Sequence, residues 1–112
     1  MRLRRANRIR RRPEFLKAYE QGTRIHGRYC TVFILPSGLP AGRLGIAATK
    51  KLGGAVQRNR AKRLIREIFR RNNTFAGYDI VVVPKRELLS ASLSVLEADY
   101  NAVLARSLRH RR

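Results

Sequence analysis

Hydrophobic and polar positions alternate along the chain with periods that separate helical from extended segments. Pro13 suits the first turn of a helix, and Gly22 can end that helix. Within it, Phe15, Ala18 and Tyr19 are spaced so that they share one face. The pattern therefore predicts a short amphipathic helix that begins after a basic N-terminal stretch.

Three segments have the residue types of β-strands. Residues 28–35 are rich in β-branched and aromatic residues. Residues 43–49 include Gly45 and two alanines, which allow another part of the chain to approach closely. Residues 78–83 form a continuous apolar run, which is typical of a central strand covered on both faces.

Two further amphipathic helices are predicted, one at residues 55–72 and one that begins near Ser92 or Ser94. Along the whole chain, the predicted elements follow the order helix, two or three strands, helix, strand, helix. This order predicts an α+β fold in which helices pack on a single sheet. An arc of about 140° on the first of these helices is apolar. It contains Ala61, Leu64, Ile65, Ile68 and Phe69.

The net charge of the chain indicates a small domain that binds a polyanion. At 112 residues the chain has the length of a single domain, predicted here to span 1–112 with a flexible basic arm at 1–12 and a basic tail at 109–112. It carries 26 Lys and Arg against seven Asp and Glu, a formal charge of +19. Self-repulsion of that size favours a large polyanionic partner such as nucleic acid.

Several classes of protein are excluded. The single cysteine, Cys30, excludes an intramolecular disulfide and any multi-cysteine zinc site. No apolar run is long enough to span a membrane, and no apolar segment follows the basic N-terminus as it would in a secretory signal. A mitochondrial presequence is the alternative interpretation of that stretch, but the absence of Ser favours a cytoplasmic protein.

The basic helix carries its cations as a row. Arg58, Lys62, Arg66 and Arg70 follow one another at intervals of four residues, and Glu67 is the only acid between 58 and 71. A helix that is merely solvated would interleave Glu with Lys, so the row favours a surface that binds a polyanion. Neighbouring positions extend this surface. They are Asn59, Arg60, Arg63 and, upstream of two glycines that leave backbone N–H groups free for a phosphate, Lys50 and Lys51.

Groups for protein-based catalysis are missing. His26 lies next to a glycine and His110 lies in the basic tail, so neither is placed as a general base. Glu97 and Asp99 are two apart on a predicted helix and point in different directions. No catalytic residue, metal ligand or bound cofactor is therefore assigned to the chain.

The run KKLGGAVQRNRAKRLIREIFR, residues 50–70, resembles the signature of the bacterial ribonuclease P protein subunit. The shared pattern is a Lys pair, a Gly, Ala-Val, and then RNR-x-KR-x-x-RE. The opening NRIRRRPEFLKAYEQG and the segment DIVVVPK are similar to the family's first helix and a later strand.

The resemblance implies an α-β-β-β-α-β-α order with a left-handed crossover through the basic helix. It implies a noncatalytic subunit that binds the ribonuclease P RNA and the 5′ leader of precursor tRNA, while the RNA cleaves with Mg²⁺. No membrane and no small-molecule substrate is implied. Residues that match the RNA-contacting positions are Lys50, Lys51, Arg58, Asn59, Arg60, Lys62, Arg63, Arg66 and Arg70.

Three aromatic residues match positions in the family's leader-binding cleft: Phe15, Tyr19 and Phe33. Aromatic rings can stack on unpaired bases while nearby cations contact phosphates. The alternative is that these rings belong to an ordinary core. Phe33 stands where the family often has Tyr, so a hydrogen bond from this position to the leader is not expected. Tyr19 stands where Phe is common.

Three other functions remain open from the residues alone. A basic ribosomal protein or RNA chaperone would also be small and rich in Arg, but it would not need the RNR spacing. A DNA-compacting protein is disfavoured because no dimer-forming or groove-reading element is evident. An enzyme that acts without an RNA is the least compatible with the missing catalytic groups.

Overall fold

The computed structural model of the chain describes residues 7–72 and 76–110. Its elements follow the predicted order, with three strands before the basic helix. Short 3-10 turns at Lys50–Leu52 and Arg86–Ser90 precede the second and third helices. The helices and strands are α1 (Arg12–Gln21), β1 (Thr23–His26), β2 (Cys30–Pro36), β3 (Arg43–Ile46), α2 (Ala55–Arg71), β4 (Tyr78–Pro84) and α3 (Leu93–His110).

The four strands form one mixed sheet in the order β1-β2-β4-β3. β2 pairs antiparallel with both β1 and β4, whereas β3 pairs parallel with β4. The parallel neighbours β3 and β4 are joined through α2, as the resemblance implied. β4 has a strand on each side, which confirms the central position predicted from its apolar run.

One face of the sheet is covered by α2 and α3, which enclose the larger core. The apolar arc predicted for α2 makes this contact: Ala61, Ile65, Ile68 and Phe69 are buried, and Leu64 is partly buried against the same cluster. Burial of this stripe holds α2 to the sheet and leaves its basic positions on the outside.

The opposite face of the sheet is covered by α1 and the segment before it. A smaller cluster here joins Ile9, Ala18 and Val81, with Phe15 and Phe33 partly buried against it. Ala18, from the predicted inner face of α1, is fully buried. The sheet is therefore the middle of three layers, and α1 lies on the side away from α2.

Part of the predicted flexible arm lies against the sheet. The Ile9 amide donates to the Leu44 carbonyl at 2.9 Å, Asn7 Nδ2 donates to the Gly42 carbonyl at 2.8 Å, and Ile9 is only 5% exposed. One apolar side chain and the open edge of β3 account for this docking. Residues 1–6 of the arm and residues 111–112 of the tail lie outside the described residues, and α3 continues to His110.

Some element boundaries differ from the predictions. β1 was not predicted from its residues because it is short and mostly polar, and only Ile25 of its four residues is buried. β2 begins at Cys30 because residues 27–29 turn the hairpin, where the Gly27 amide donates to the Cys30 carbonyl at 2.8 Å. α3 begins at Leu93, after Ser92. No helix in residues 7–72 and 76–110 is long and apolar enough to cross a bilayer.

Candidate nucleic-acid interface

The basic face of α2 stands beside the buried stripe of the same helix. Arg58, Lys62 and Arg66 are partly buried, as expected for positions that border the apolar arc of the helix. Asn59, Arg60 and Arg63 are exposed further round the helix. The predicted row is thus presented along one continuous shoulder of α2.

Arg70, at the far end of the row, is already paired. It donates through Nε and Nη2 to the Glu67 carboxylate, with 2.6 Å between Nη2 and Oε2. The hydrogen bond and charge of Arg70 lower the pKa of Glu67, so the pair stays ionised at neutral pH. The net positive charge at this end of the row is therefore smaller than at the Arg58 end.

Lys50 and Lys51 are both exposed on the 3-10 turn Lys50–Leu52, which precedes α2. Buried Leu52 anchors this turn to the core. Gly53 has φ of 128°, a conformation that favours glycine, and it turns the chain towards the start of α2. Gly54 is the N-cap residue and provides no side-chain cap, so backbone N–H groups of the first turn have no side-chain acceptor there.

A groove runs between α1 and the sheet, with α2 at its rim. Its outer part has a volume of about 470 Å³ and its inner part about 380 Å³. Phe15 and Lys62 line both parts, which makes them neighbours across the groove. Tyr19 lines the outer part, and Arg66 lines the inner part. The groove therefore combines aromatic rings from α1 with cations from α2.

Gly45 determines how closely α1 approaches the sheet. A Cβ built at this position would lie 2.9 Å from Cε1 and Cζ of Phe15 and 3.0 Å from Cβ of Ile9. The missing side chain leaves the space in which the Phe15 ring sits. This agrees with the expectation that small residues in the strand allow close approach.

Tyr19 and Phe33 form an aromatic pair beside Phe15. Their ring centroids are 4.9 Å apart with an interplanar angle of 66°, an edge-on contact. Phe33 is partly buried in the small cluster and does not line either part of the groove, so its contact is with Tyr19 and the core. Burial raises the pKa of Tyr19, which keeps its hydroxyl protonated at neutral pH.

The structure thus brings Phe15, Tyr19, Lys62 and Arg66 together around one groove. The other predicted RNA-contacting residues lie outside its lining, on α2 and on the 3-10 turn before it.

Sequence reasoning missed two contributors to this region. Arg8 and Arg10 line the groove because residues 7–9 are docked beside β3, whereas the sequence pattern predicted a flexible arm here. The sequence feature that could have indicated this docking is Ile9, a single apolar residue between cations. The second is Arg43, which bonds Glu14 of α1 and Asp79 of β4 at once. Partners 29 and 36 residues away in sequence give no local signal for this contact.

No group of three or more His, Cys, Asp or Glu side chains that could hold a metal ion occurs within the described ranges, 7–72 and 76–110. The two buried unpartnered acidic or phenolic atoms found there, Asp99 Oδ2 and Tyr100 Oη, lie on α3. α3 packs on the face of the sheet opposite to α1. The groove and its cations are thus the principal candidate site.

Comparison with known proteins connects the chain to one family. The family model for Ribonuclease P matches residues 3–108. The ribonuclease P protein component of Desulfovibrio desulfuricans is 42% identical over 109 residues, which cover 92% of this chain and 84% of the relative. That of Thermotoga maritima is 42% identical over 86 residues, which cover 75% of this chain and 74% of the relative.

Solved structures of ribonuclease P proteins have the same fold. The Thermotoga maritima protein superposes with a TM-score of 0.80 at 34% identity, covering 88% of this chain and 96% of that one. The Staphylococcus aureus protein superposes with a TM-score of 0.81 at 30% identity, covering 90% and 94%. The matched order of elements, the RNR-bearing helix and the extent of the match lead to one conclusion: the chain belongs to the ribonuclease P protein family, the protein component of an endoribonuclease.

Proposed function

We propose that this chain is the noncatalytic subunit of a bacterial ribonuclease P, which binds the catalytic RNA and the 5′ leader of precursor tRNA and promotes 5′ maturation. The observation that carries the proposal is the groove in which Lys62 and Arg66 of α2 meet Phe15 of α1. Cations beside aromatic rings bind single-stranded RNA without strict sequence preference, through phosphates and base stacking respectively.

Docking to the RNA subunit is assigned to the exposed side of α2 and the turn before it. Lys50, Lys51, Arg58, Asn59, Arg60, Lys62, Arg63 and Arg66 supply the contacts there. Arginine forks bind phosphates bidentately, and backbone N–H groups at the start of a helix bind a phosphate as well. Arg70 contributes less than an unpaired arginine would, because Glu67 occupies its guanidinium.

Binding of the leader is assigned to the groove itself. Tyr19, 37% exposed, and Phe15 offer ring surface to unpaired bases, while Lys62 and Arg10, which line the same part of the groove, contact the phosphates. Phe33 supports Tyr19 from below and does not touch RNA. Within this aromatic pair, Tyr19 is therefore assigned to bind RNA and Phe33 to hold the Tyr19 ring in place.

Cleavage is assigned to the RNA subunit with its Mg²⁺ ions, and no step of the reaction is assigned to side chains of this chain. The protein's contribution is to hold the leader and the RNA subunit in a fixed relation, which lowers the Mg²⁺ concentration that the RNA requires. We assign this function to the cytoplasm, as for a protein that acts on newly made tRNA precursors.

The direct test is reconstitution. The purified chain is mixed with a bacterial ribonuclease P RNA and a precursor tRNA at low Mg²⁺, and cleavage at the mature 5′ end is measured. We expect cleavage when both components are present and none with the protein alone. If the chain binds the RNA but promotes cleavage no better than an unrelated basic protein, an RNA chaperone or ribosomal protein becomes the better assignment.

A further inference from the structure

Consecutive residues of β3 hold different parts of the groove wall. The carbonyl of Leu44 accepts the amide of Ile9 and so attaches the segment before α1 to the sheet edge. Gly45 leaves the space that the ring of Phe15 fills. Two parts of the wall are thus fixed by backbone and packing, and a polar contact to the first turn of α1 adds a third attachment.

The residue before them, Arg43, makes the third attachment. Its Nε and Nη2 donate to the two carboxylate oxygens of Asp79 at 2.8 and 2.7 Å. Its Nη1 donates to Oε2 of Glu14 at 2.8 Å. Arg43 and Asp79 are paired in the β3–β4 register, so the guanidinium is anchored on the central strand and reaches across to α1.

The Arg43 bridge is shielded and directional, unlike a surface ion pair. The side chains of Asp79, Arg43 and Glu14 are 10%, 20% and 30% exposed, so solvent competes less for the hydrogen bonds to Asp79 than for the one to Glu14. Burial alone would raise the pKa of Glu14, but the hydrogen bond and charge of Arg43 outweigh this effect and lower it. Glu14 therefore stays ionised beside Arg43 at neutral pH.

Glu14 immediately precedes Phe15 in the first turn of α1. The Glu14 carboxylate also accepts the Arg11 amide at 3.4 Å, so holding it with Arg43 restrains the rotation of this turn and the angle at which the Phe15 ring enters the groove. The charges around Glu14 allow a positioning role to be distinguished from a purely electrostatic one. Arg8, Arg10, Arg11 and Arg43 surround Glu14, so removal of its charge makes the region more attractive to any RNA.

We propose that Arg43 is a positioning residue for the 5′ leader: anchored on Asp79, it holds Glu14 and thereby sets the place of Phe15 in the groove. This inference rests on the proposed function of the groove. It predicts that breaking the Arg43–Glu14 ion pair weakens leader binding, whereas electrostatics alone predicts that the same change strengthens it.

The experiment uses the reconstituted holoenzyme with Glu14→Gln, which removes the charge and keeps the size of the side chain. Glu20→Gln is the matched control, because Glu20 is an exposed glutamate on the same helix. For each variant, affinity is measured for precursor tRNA with its leader, for mature tRNA, and for the RNA subunit alone.

We expect Glu14→Gln to reduce the ratio of precursor to mature tRNA affinity about three- to tenfold, the range expected for the net loss of one typical hydrogen bond. Affinity for the RNA subunit should stay within about twofold, and Glu20→Gln should change neither quantity. An unchanged ratio in Glu14→Gln would overturn the proposal. So would an equal drop in RNA-subunit affinity, because that result indicates a general loss of structure.

A second measurement separates this inference from the proposed function. If the wild-type holoenzyme shows no preference for the leader, the proposed function of the groove fails. Hydrogen exchange of the free protein then tests whether the Arg43–Glu14 ion pair positions α1. Faster exchange at the Ile9 amide and in the first turns of α1 of Glu14→Gln, with exchange in β4 unchanged, supports a positioning role. Unchanged exchange at α1 overturns it.

Discussion

The ring of Tyr19 meets the ring of Phe33 edge-on, with their centroids 4.9 Å apart. Phe33 belongs to β2 and packs in the cluster below α1, whereas more than a third of Tyr19 is exposed towards the groove. The two aromatic residues therefore have different partners, one in the core and one available to RNA. A substitution of Tyr19 should therefore mainly affect RNA binding, whereas a substitution of Phe33 should mainly affect the stability of the fold.

Tyr19→Ala should chiefly weaken binding of precursor tRNA, by about 1–3 kcal/mol for each base stack that is removed. Affinity for mature tRNA should not change, because it has no leader, and the free energy of unfolding should fall only slightly. Phe33→Ala should lower the free energy of unfolding more than Tyr19→Ala does. Equal reductions for precursor and mature tRNA in Tyr19→Ala would contradict the leader assignment.

Arg58→Ala and Arg66→Ala should each weaken binding of the RNA subunit by about 1.5 kcal/mol, since each removes a charge-assisted hydrogen bond to phosphate. The slope of log affinity against log salt should become shallower by about 0.7–0.9 for each phosphate that the variant no longer neutralises. Arg86→Ala is the control for net charge, because Arg86 is exposed in the 3-10 turn after β4. A reduction in Arg86→Ala equal to those in α2 would indicate generic electrostatic binding.

Glu67→Gln should act in the opposite direction. It releases Arg70 from its ion pair and removes the single negative charge of α2, so affinity for the RNA subunit should rise about twofold at low salt. Titration of the RNA with both proteins at two salt concentrations measures this effect. A decrease in affinity would mean that Glu67 orients Arg70 towards the RNA instead of competing for it.

Gly45→Ala should destabilise the fold, because the new Cβ would stand 2.9 Å from the Phe15 ring. We expect a decrease of about 1–3 kcal/mol in the free energy of unfolding by urea, together with weaker binding of precursor tRNA. Phe15→Leu provides the matched background, since it replaces the ring with a smaller side chain. If Gly45→Ala costs as much in that background as in the wild type, the Phe15 ring is not the group that meets the new methyl.

Cys30 should make stability depend on pH in the alkaline range. Burial, reinforced by Asp99 and opposed by Lys85, raises the pKa of its thiol to about 12 from an ordinary value of 9.0. The folded chain keeps this proton to higher pH than the unfolded chain does, so the stabilisation is complete below pH 9 and is lost between pH 9 and about 12. Between about pH 8 and 10, the wild type should lose about 1 kcal/mol more stability than Cys30→Ala.

Thiol labelling checks the same burial at neutral pH. Cys30 should react with a thiol reagent more than about 100-fold more slowly in the folded chain than in urea. Rapid labelling of the native protein would contradict both the burial of Cys30 and its raised pKa.

Features with a strong local period were predictable from the sequence. The apolar arc of α2 has the helical period, and its members at 61, 65, 68 and 69 are buried as expected. The apolar run of β4 indicated a strand covered on both faces, and β4 is central in the sheet. In both cases the burial pattern is repeated within one element, so it is visible without knowledge of the partner.

Features that depend on tertiary pairing were not predictable. The docking of residues 7–9 depends on the open edge of β3, and the single apolar residue Ile9 does not indicate which part of the chain it packs against. The Arg43 bridge requires the β3–β4 register and the position of α1, and its residues are 29 and 36 positions apart. The sequence pattern placed Phe15, Tyr19 and Phe33 in one set, whereas the packing shows that Tyr19 is exposed and that Phe15 and Phe33 are partly buried.

The hydrogen bond from Ile9 to Leu44 also has a consequence for solubility. β3 is an edge strand, and the unpaired backbone groups of an edge strand can recruit a strand from another molecule. The parallel bridge of Arg8 with Leu44 and the Ile9 amide occupy that edge in the folded chain. The segment that completes the groove wall thus also blocks strand addition, so a truncation that removes Ile9 would favour self-association.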